Sequence, residues 1–62
     1  MGLKHLIQIE EHLRVHKKQA FAKTKLHKDL NINFGTVSDV LAYFLVQGRV
    51  VKTKEGKYKW KE

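Results

Sequence analysis

Apolar and polar positions alternate with helical spacing over the first part of the chain. In "LKHLIQIEEHLRVHKK", Leu6, Ile9, Leu13 and His16 succeed one another at steps of three and four, with Leu3 and Ile7 flanking. This pattern predicts an amphipathic helix over 3–18. Glu10 and Arg14 stand four apart in the favourable order for a helical ion pair. Lys17 and Lys18 fall where a helix carboxyl end prefers cations. "QAFA" (19–22) carries one aromatic and predicts a short strand near 20–22.

A second, shorter helix is predicted over 24–30, with Thr24 as its cap and Leu26 and Leu30 as an apolar pair four apart. "NIN" (31–33) breaks it. Asn31 tolerates a left-handed backbone, as a tight helix-to-helix turn needs. Ile32 is then the buried residue of that turn and Asn33 the next cap. A third helix follows over 34–47, with Val37, Val40, Leu41 and Phe44 at core spacing. Gly48 stands where a helix-ending glycine belongs.

After Gly48 the period changes from 3.6 to 2. The segment "RVVKTKEGKYKWK" predicts a hairpin of 49–54 with 57–61. With Glu55-Gly56 as a two-residue turn, the direct pairs are Lys54 with Lys57, Thr53 with Tyr58, Lys52 with Lys59, and Val51 with Trp60. One face then holds Val51, Thr53, Tyr58 and Trp60 and packs on the helices. The other holds Lys52, Lys54, Lys57 and Lys59, with Lys61 beside Val50, as a basic comb toward solvent. Opposed like charges cost roughly 0.2–1 kcal/mol per pair. Two readings account for the comb: protection of a strand edge against aggregation, or a phosphate-binding surface. The second converts the repulsion into attraction and is preferred.

Length and charge narrow the classes of function. Sixty-two residues form a single domain, 1–62, too small to wall a catalytic cleft easily. Thirteen Lys+Arg against six Asp+Glu give a formal net charge of +7. That bias points to an anionic partner, nucleic acid first. No cysteine provides a disulfide or a thiolate metal site, which suits a reducing cytoplasm. No apolar run reaches the ~18 residues of a membrane span.

The overall fold class expected is mainly α with a small β wing: a three-helix helix-turn-helix core plus a C-terminal β-hairpin. This order resembles the winged helix-turn-helix DNA-binding family over nearly the whole chain. The segment "TKLHKDLNINFGTVSDVLAYFLVQGRVVK" carries the resemblance, as cap, short helix, turn, "TVS" recognition helix, apolar run, glycine and first wing strand. The resemblance implies a sequence-reading regulator of transcription on double-stranded DNA, cytoplasmic, and nucleoid-associated in a prokaryote or virus. It places the third helix in the major groove and the wing on the backbone or minor groove.

On that footing, bases or sugars would be met by Asn33, Gly35, Thr36, Ser38, Asp39 and Tyr43. Phosphates would be held by Lys23, Lys25, Lys28, Arg49, Lys52, Lys54, Lys57, Lys59 and Lys61. The chain departs from the family in one respect: its third helix has no lysine or arginine, and Asp39 makes it net negative. Either it reads through small polar groups and close approach, or the strip Gly35, Ala42 and Val46 packs on another subunit. Ser38 and Ala42 stand where the Z-form nucleic acid readers carry asparagine and tyrosine, so the resemblance does not extend to them.

Other chemistry is weakly signalled. His12 and His16, four apart, would need His5 or Glu11 as a third metal ligand, and a structural role is preferred. No nucleophile grouping, phosphate loop or paired-carboxylate cleft is readable, so no enzyme, cofactor, metal or small-molecule substrate is expected. Leu3, Ile7 and Val15 exceed what one core face needs and mark the first helix as a homodimer surface. Its mixed charge, with Glu10 and Glu11 among the bases, argues against a membrane. The competing reading is a protein-interaction module for an acidic partner within a larger complex.

Overall fold

The computed structural model describes residues 3–61. Its elements run α1 (Leu3–Val15), β1 (Ala20–Phe21), α2 (Lys23–Leu30), α3 (Phe34–Val46), β2 (Val50–Lys52) and β3 (Tyr58–Trp60). The fold is mainly α, three helices with a small antiparallel sheet of strand order β1-β3-β2.

α1 stops at Val15, short of the expected 18. Gln19 N–H donates to the His16 carbonyl at 2.9 Å, closing a turn that delivers Ala20 and Phe21 to the sheet. Lys17 and Lys18 lie in that turn rather than on the helix. α2 starts one residue earlier than expected, and Ala22, not Thr24, is its N-cap, without a side-chain hydrogen bond. Its far end is as the sequence predicts. Asn31 adopts φ 54° and ψ 45°, and the Ile32 N–H donates to the His27 carbonyl at 3.1 Å. Ile32 is buried, and its own carbonyl lies 2.9 Å from His27 Nδ1.

Asn33 caps α3: its Oδ1 accepts from the Gly35 N–H at 2.8 Å. α3 ends at Val46, and the expected glycine follows, with φ +73° at Gly48. Arg49 N–H then donates back to the Phe44 carbonyl at 2.9 Å, satisfying a carbonyl of the last turn.

Val37, Val40, Leu41 and Phe44 are all fully buried, as their spacing predicts. Ile9 and Leu13 of α1 and Leu26 of α2 close on them, with Phe21, Val50 and Tyr58 from the three strands. Burial of each such side chain contributes about 1.5–3 kcal/mol.

The hairpin register differs from expectation by one residue. The pairs are Val50 with Trp60, Val51 with Lys59, and Lys52 with Tyr58. Thr53 N–H donates to the Lys57 carbonyl at 2.8 Å and Gly56 N–H to the Thr53 carbonyl at 3.0 Å. The loop is therefore three residues, Lys54-Glu55-Gly56, with Gly56 at φ +81°. A glycine in that conformation is what a three-residue hairpin loop requires. The added loop residue exchanges the faces of β2. Val50, Lys52, Tyr58 and Trp60 share the inner side, while Val51 and Thr53 turn outward with Lys57 and Lys59.

The single-faced comb is thereby corrected. Lys52 stands opposite Tyr58, Lys59 opposite Val51 and Ala20, and Lys57 opposite Thr53. Among the described residues of the hairpin no two lysines are directly opposed, so the expected pairwise repulsion is absent there.

Candidate nucleic-acid interface

The side of α3 away from the core is open. Gly35, Asp39, Ala42, Tyr43 and Val46 are exposed, and Thr36 and Ser38 are half-buried. All six candidate base contacts thus lie on or beside one accessible face at the amino end and middle of the helix. Asn33 is exposed, but its side-chain oxygen is engaged in the cap. A Cβ added to Gly35 would stand 3.2 Å from that same oxygen, so a larger residue there would require the Asn33 cap to shift by a few tenths of an ångström.

Ser38 is tied to the basic surface. Lys23 Nζ donates to Ser38 Oγ at 3.2 Å, linking the first residue of α2 to the middle of α3. The same ammonium lies 5.7 Å from the ring centroid of Tyr58, and Lys52 Nζ lies 6.0 Å from that centroid. Two cations therefore gather around one largely buried tyrosine ring, held there by cation–π attraction of about 0.5–1 kcal/mol each. Among the described residues neither forms an ion pair with a carboxylate. Three elements, α2, α3 and the wing, meet at this cluster.

The remaining candidate phosphate ligands fall into distinct groups. Lys25 pairs with Asp29 one turn along α2, at 3.5 Å, and Arg49 pairs with Glu10 of α1 at 3.0 Å. Glu10 thus takes a tertiary partner in place of the expected Arg14. Lys28 is exposed on α2, and Lys54 is exposed in the hairpin loop. Lys57 and Lys61 are exposed and Lys59 half-buried, all three on β3 or its immediate flanks.

His12, on α1, and His16, in the turn after it, form a separate cluster. The His12 ring lies 4.9 Å from that of His16 and 5.0 Å from Phe21. His12 Nε2 is shielded from solvent without a protein partner. Burial lowers the His12 pKa below the ordinary histidine value, His16 and Lys25 lower it further, and Asp29 opposes them. His12, not His16, is the partly buried member of the pair; His16 is exposed. Among the described residues no three metal-ligating side chains come together. A shallow groove of about 310 Å³ runs beside this cluster, lined by Gln8, Glu11, His12, Val15, His16 and Leu30, away from the Lys23–Ser38 contact.

Leu3, Ile7 and Val15 are exposed, at 71, 45 and 74% of their surface. No helix among the described residues is long and apolar enough to cross a membrane. Comparison with protein-family models, with curated proteins and with solved structures yields no match.

Tyr58 and the Lys23–Ser38 contact were not singled out from the sequence as a unit. The signal that would have found Tyr58 is the loop length, since only a three-residue loop places it opposite Lys52.

Proposed function

We propose that the protein is a small sequence-reading DNA-binding protein of winged helix-turn-helix type, a regulator of transcription acting in the cytoplasm, on the nucleoid in a prokaryote or virus. α3 enters the major groove, and the wing lies on the backbone or minor groove. The observation that carries this reading is the Lys23–Ser38–Lys52 cluster around Tyr58. It sets the Lys23 ammonium on Ser38 at the edge of the exposed face of α3, with the Lys52 ammonium at the same tyrosine ring, and among the described residues neither is in an ion pair. Phosphate contacts there would fix the register of the helix, and Thr36, Asp39 and Tyr43 would meet base edges or sugars. Lys28 and Lys54 extend the charge along the backbone. Lys25 and Arg49 reach phosphate only by exchanging a carboxylate partner for it.

The test is a shift assay on specific and random duplexes across a range of salt. Each phosphate contact steepens the log–log salt slope by roughly 0.9. Lys23→Gln with Lys52→Gln should make it shallower by about two. Tyr43→Phe should change preference among sequences and leave the slope alone. A double variant with the wild-type slope rejects the cluster as a phosphate ligand.

A second reading is favoured by one specific feature: α3 carries no cation and exposes Tyr43, Leu45 and Val46, the last at 89%. A protein partner docking there through apolar contact, its acidic groups meeting the lysines of α2 and the wing, would remain bound at about half-molar salt, where screening removes most long-range attraction. A homodimer through α1, by way of Leu3, Ile7 and Val15, would present two copies of α3 to paired half-sites.

A further inference from the structure

The observed register divides the wing lysines between two opposite sides of the sheet. Lys52 lies on the inner side with Tyr58, whose ring Lys23 also approaches. Lys59 faces outward, since its neighbours across both ladders are Ala20 and Val51, and Val51 is exposed at 42%. Lys57 and Lys61 share that outward side by strand alternation. The ladder continues to both, through Thr53 N–H to the Lys57 carbonyl at 2.8 Å and Lys61 N–H to the Arg49 carbonyl at 2.8 Å. The outer side thus carries three lysines in one row along the central strand, about 6.6 Å apart. Among the described residues none of the three forms an ion pair. The fold uses none of this charge: the core lies on the other side of the sheet.

We infer that the outer row Lys57, Lys59 and Lys61 is a second nucleic-acid surface, so that one molecule joins two DNA segments. This rests on the DNA-binding reading above. A duplex seated on α3 is gripped from the side of Lys23 and Lys52, and the outer row faces away from that seat. Nor does the outer row follow the hairpin tip into the minor groove. Lys59 stands in the three-stranded part of the sheet, where strands about 4.8 Å apart make a slab near 10 Å wide. The minor groove is about 6 Å across. The row therefore lies flat on the phosphates of a separate segment. Ala20 and Val51, small and uncharged on either side, let a backbone approach it closely.

The experiment uses the full chain and two short random-sequence duplexes, one immobilised and one fluorescent. Wild type should bind the immobilised duplex and capture the second. The variant Lys57→Gln/Lys59→Gln/Lys61→Gln should still bind the first duplex with the wild-type salt slope but capture little or none of the second. Lys57→Gln/Lys61→Gln alters only exposed side chains and should lower capture by an intermediate amount, which guards against a folding defect from the half-buried Lys59. Lys23→Gln/Lys52→Gln should weaken binding to the first duplex. Wild type that binds one duplex without capturing another overturns the inference and leaves the DNA-binding reading standing. So does undiminished capture by the triple variant, which would assign bridging to a dimer. Failure of wild type to bind any duplex at low salt removes both.

Discussion

The helical half and the sheet half of this protein are built on different margins. Ile9, Leu13, Leu26, Val37, Val40, Leu41 and Phe44 are all at 0% exposure, so the helices contribute a deep cluster in which several residues share each contact. Each strand contributes one closely buried residue: Phe21, Val50 or Tyr58. Trp60 is only partly buried, with its ring edge-on to Phe44 at 6.0 Å between centroids. The sheet is held by a few large side chains at the rim of the core. That same rim carries the ammoniums of Lys23 and Lys52. Stability is concentrated where the chain is apolar on a wide helical stripe, and the candidate chemistry sits where burial is thinnest.

The sharpest way to break this contrast is to open the helical cluster. Phe44→Ala should cost about 3–5 kcal/mol, which for a chain of this size approaches its whole stability. Urea denaturation should find the variant largely unfolded in buffer. Trp60→Ala removes a ring that keeps some contact with solvent and should cost less than Phe44→Ala, leaving a folded protein by circular dichroism. Tryptophan emission of the wild type should be intermediate between buried and solvated. A loss equal to that of Phe44 would show that the wing is as deeply anchored as the helices.

Two smaller effects probe the ends of helix and hairpin. Asn33→Ala should cost about 1 kcal/mol through the lost cap of α3. A change in its DNA preference would therefore mix stability with readout, and Thr36 or Tyr43 is the cleaner site. Gly56→Ala meets no steric neighbour, yet φ +81° strains any other residue, at a cost of roughly 1 kcal/mol. Cross-strand nuclear Overhauser contacts of Val50 with Trp60 and Lys52 with Tyr58 would verify the register. Contacts of Val51 with Trp60 would restore the two-residue turn.

The smallest effect concerns pH at the junction of the two halves. His12 of α1 packs on Phe21 of β1, and its pKa is lowered in the folded state, chiefly by burial. The folded protein thus binds that proton less readily than the unfolded chain does. The stability so gained is present above the unfolded value of about 6.5 and is lost as pH falls below it, through the folded pKa. Thermal melts from pH 7.5 to 5 should show less acid destabilisation in His12→Phe than in wild type. His16→Gln, at an exposed position, should leave most of it in place.

Helical faces were legible because they depend only on local spacing. Val37, Val40, Leu41 and Phe44 fall on one side whichever residue begins the helix, so ending α3 at Val46 rather than Gln47 moves nothing. The turn at Asn31 and the glycine at position 48 were legible for a related reason: each is a local backbone requirement met by one residue type. The candidate base contacts followed from the same angle: Gly35, Asp39 and Tyr43 are exposed, while Thr36 and Ser38 are half-buried beside them. The wing was less legible because strand faces have a period of two. One added loop residue sent Lys52 inward and Val51 outward. The partners of Glu10 and Lys23 were out of reach altogether, since Arg49 and Ser38 are 39 and 15 residues distant along the chain.

By itself, then, the sequence determined the order of elements, the apolar stripe of each helix, the backbone-specific stops and an excess of positive charge on the last residues. These are properties of spacing, residue type and composition, which need no knowledge of what lies opposite. Only the tertiary structure decided which lysines stand together. The three-residue loop, with Gly56 at φ +81°, sets the register in which Val50 rather than Val51 joins Tyr58 in the core. That choice divides the lysines, with Lys52 at Tyr58 on one side of the sheet and Lys57, Lys59 and Lys61 in a row on the other.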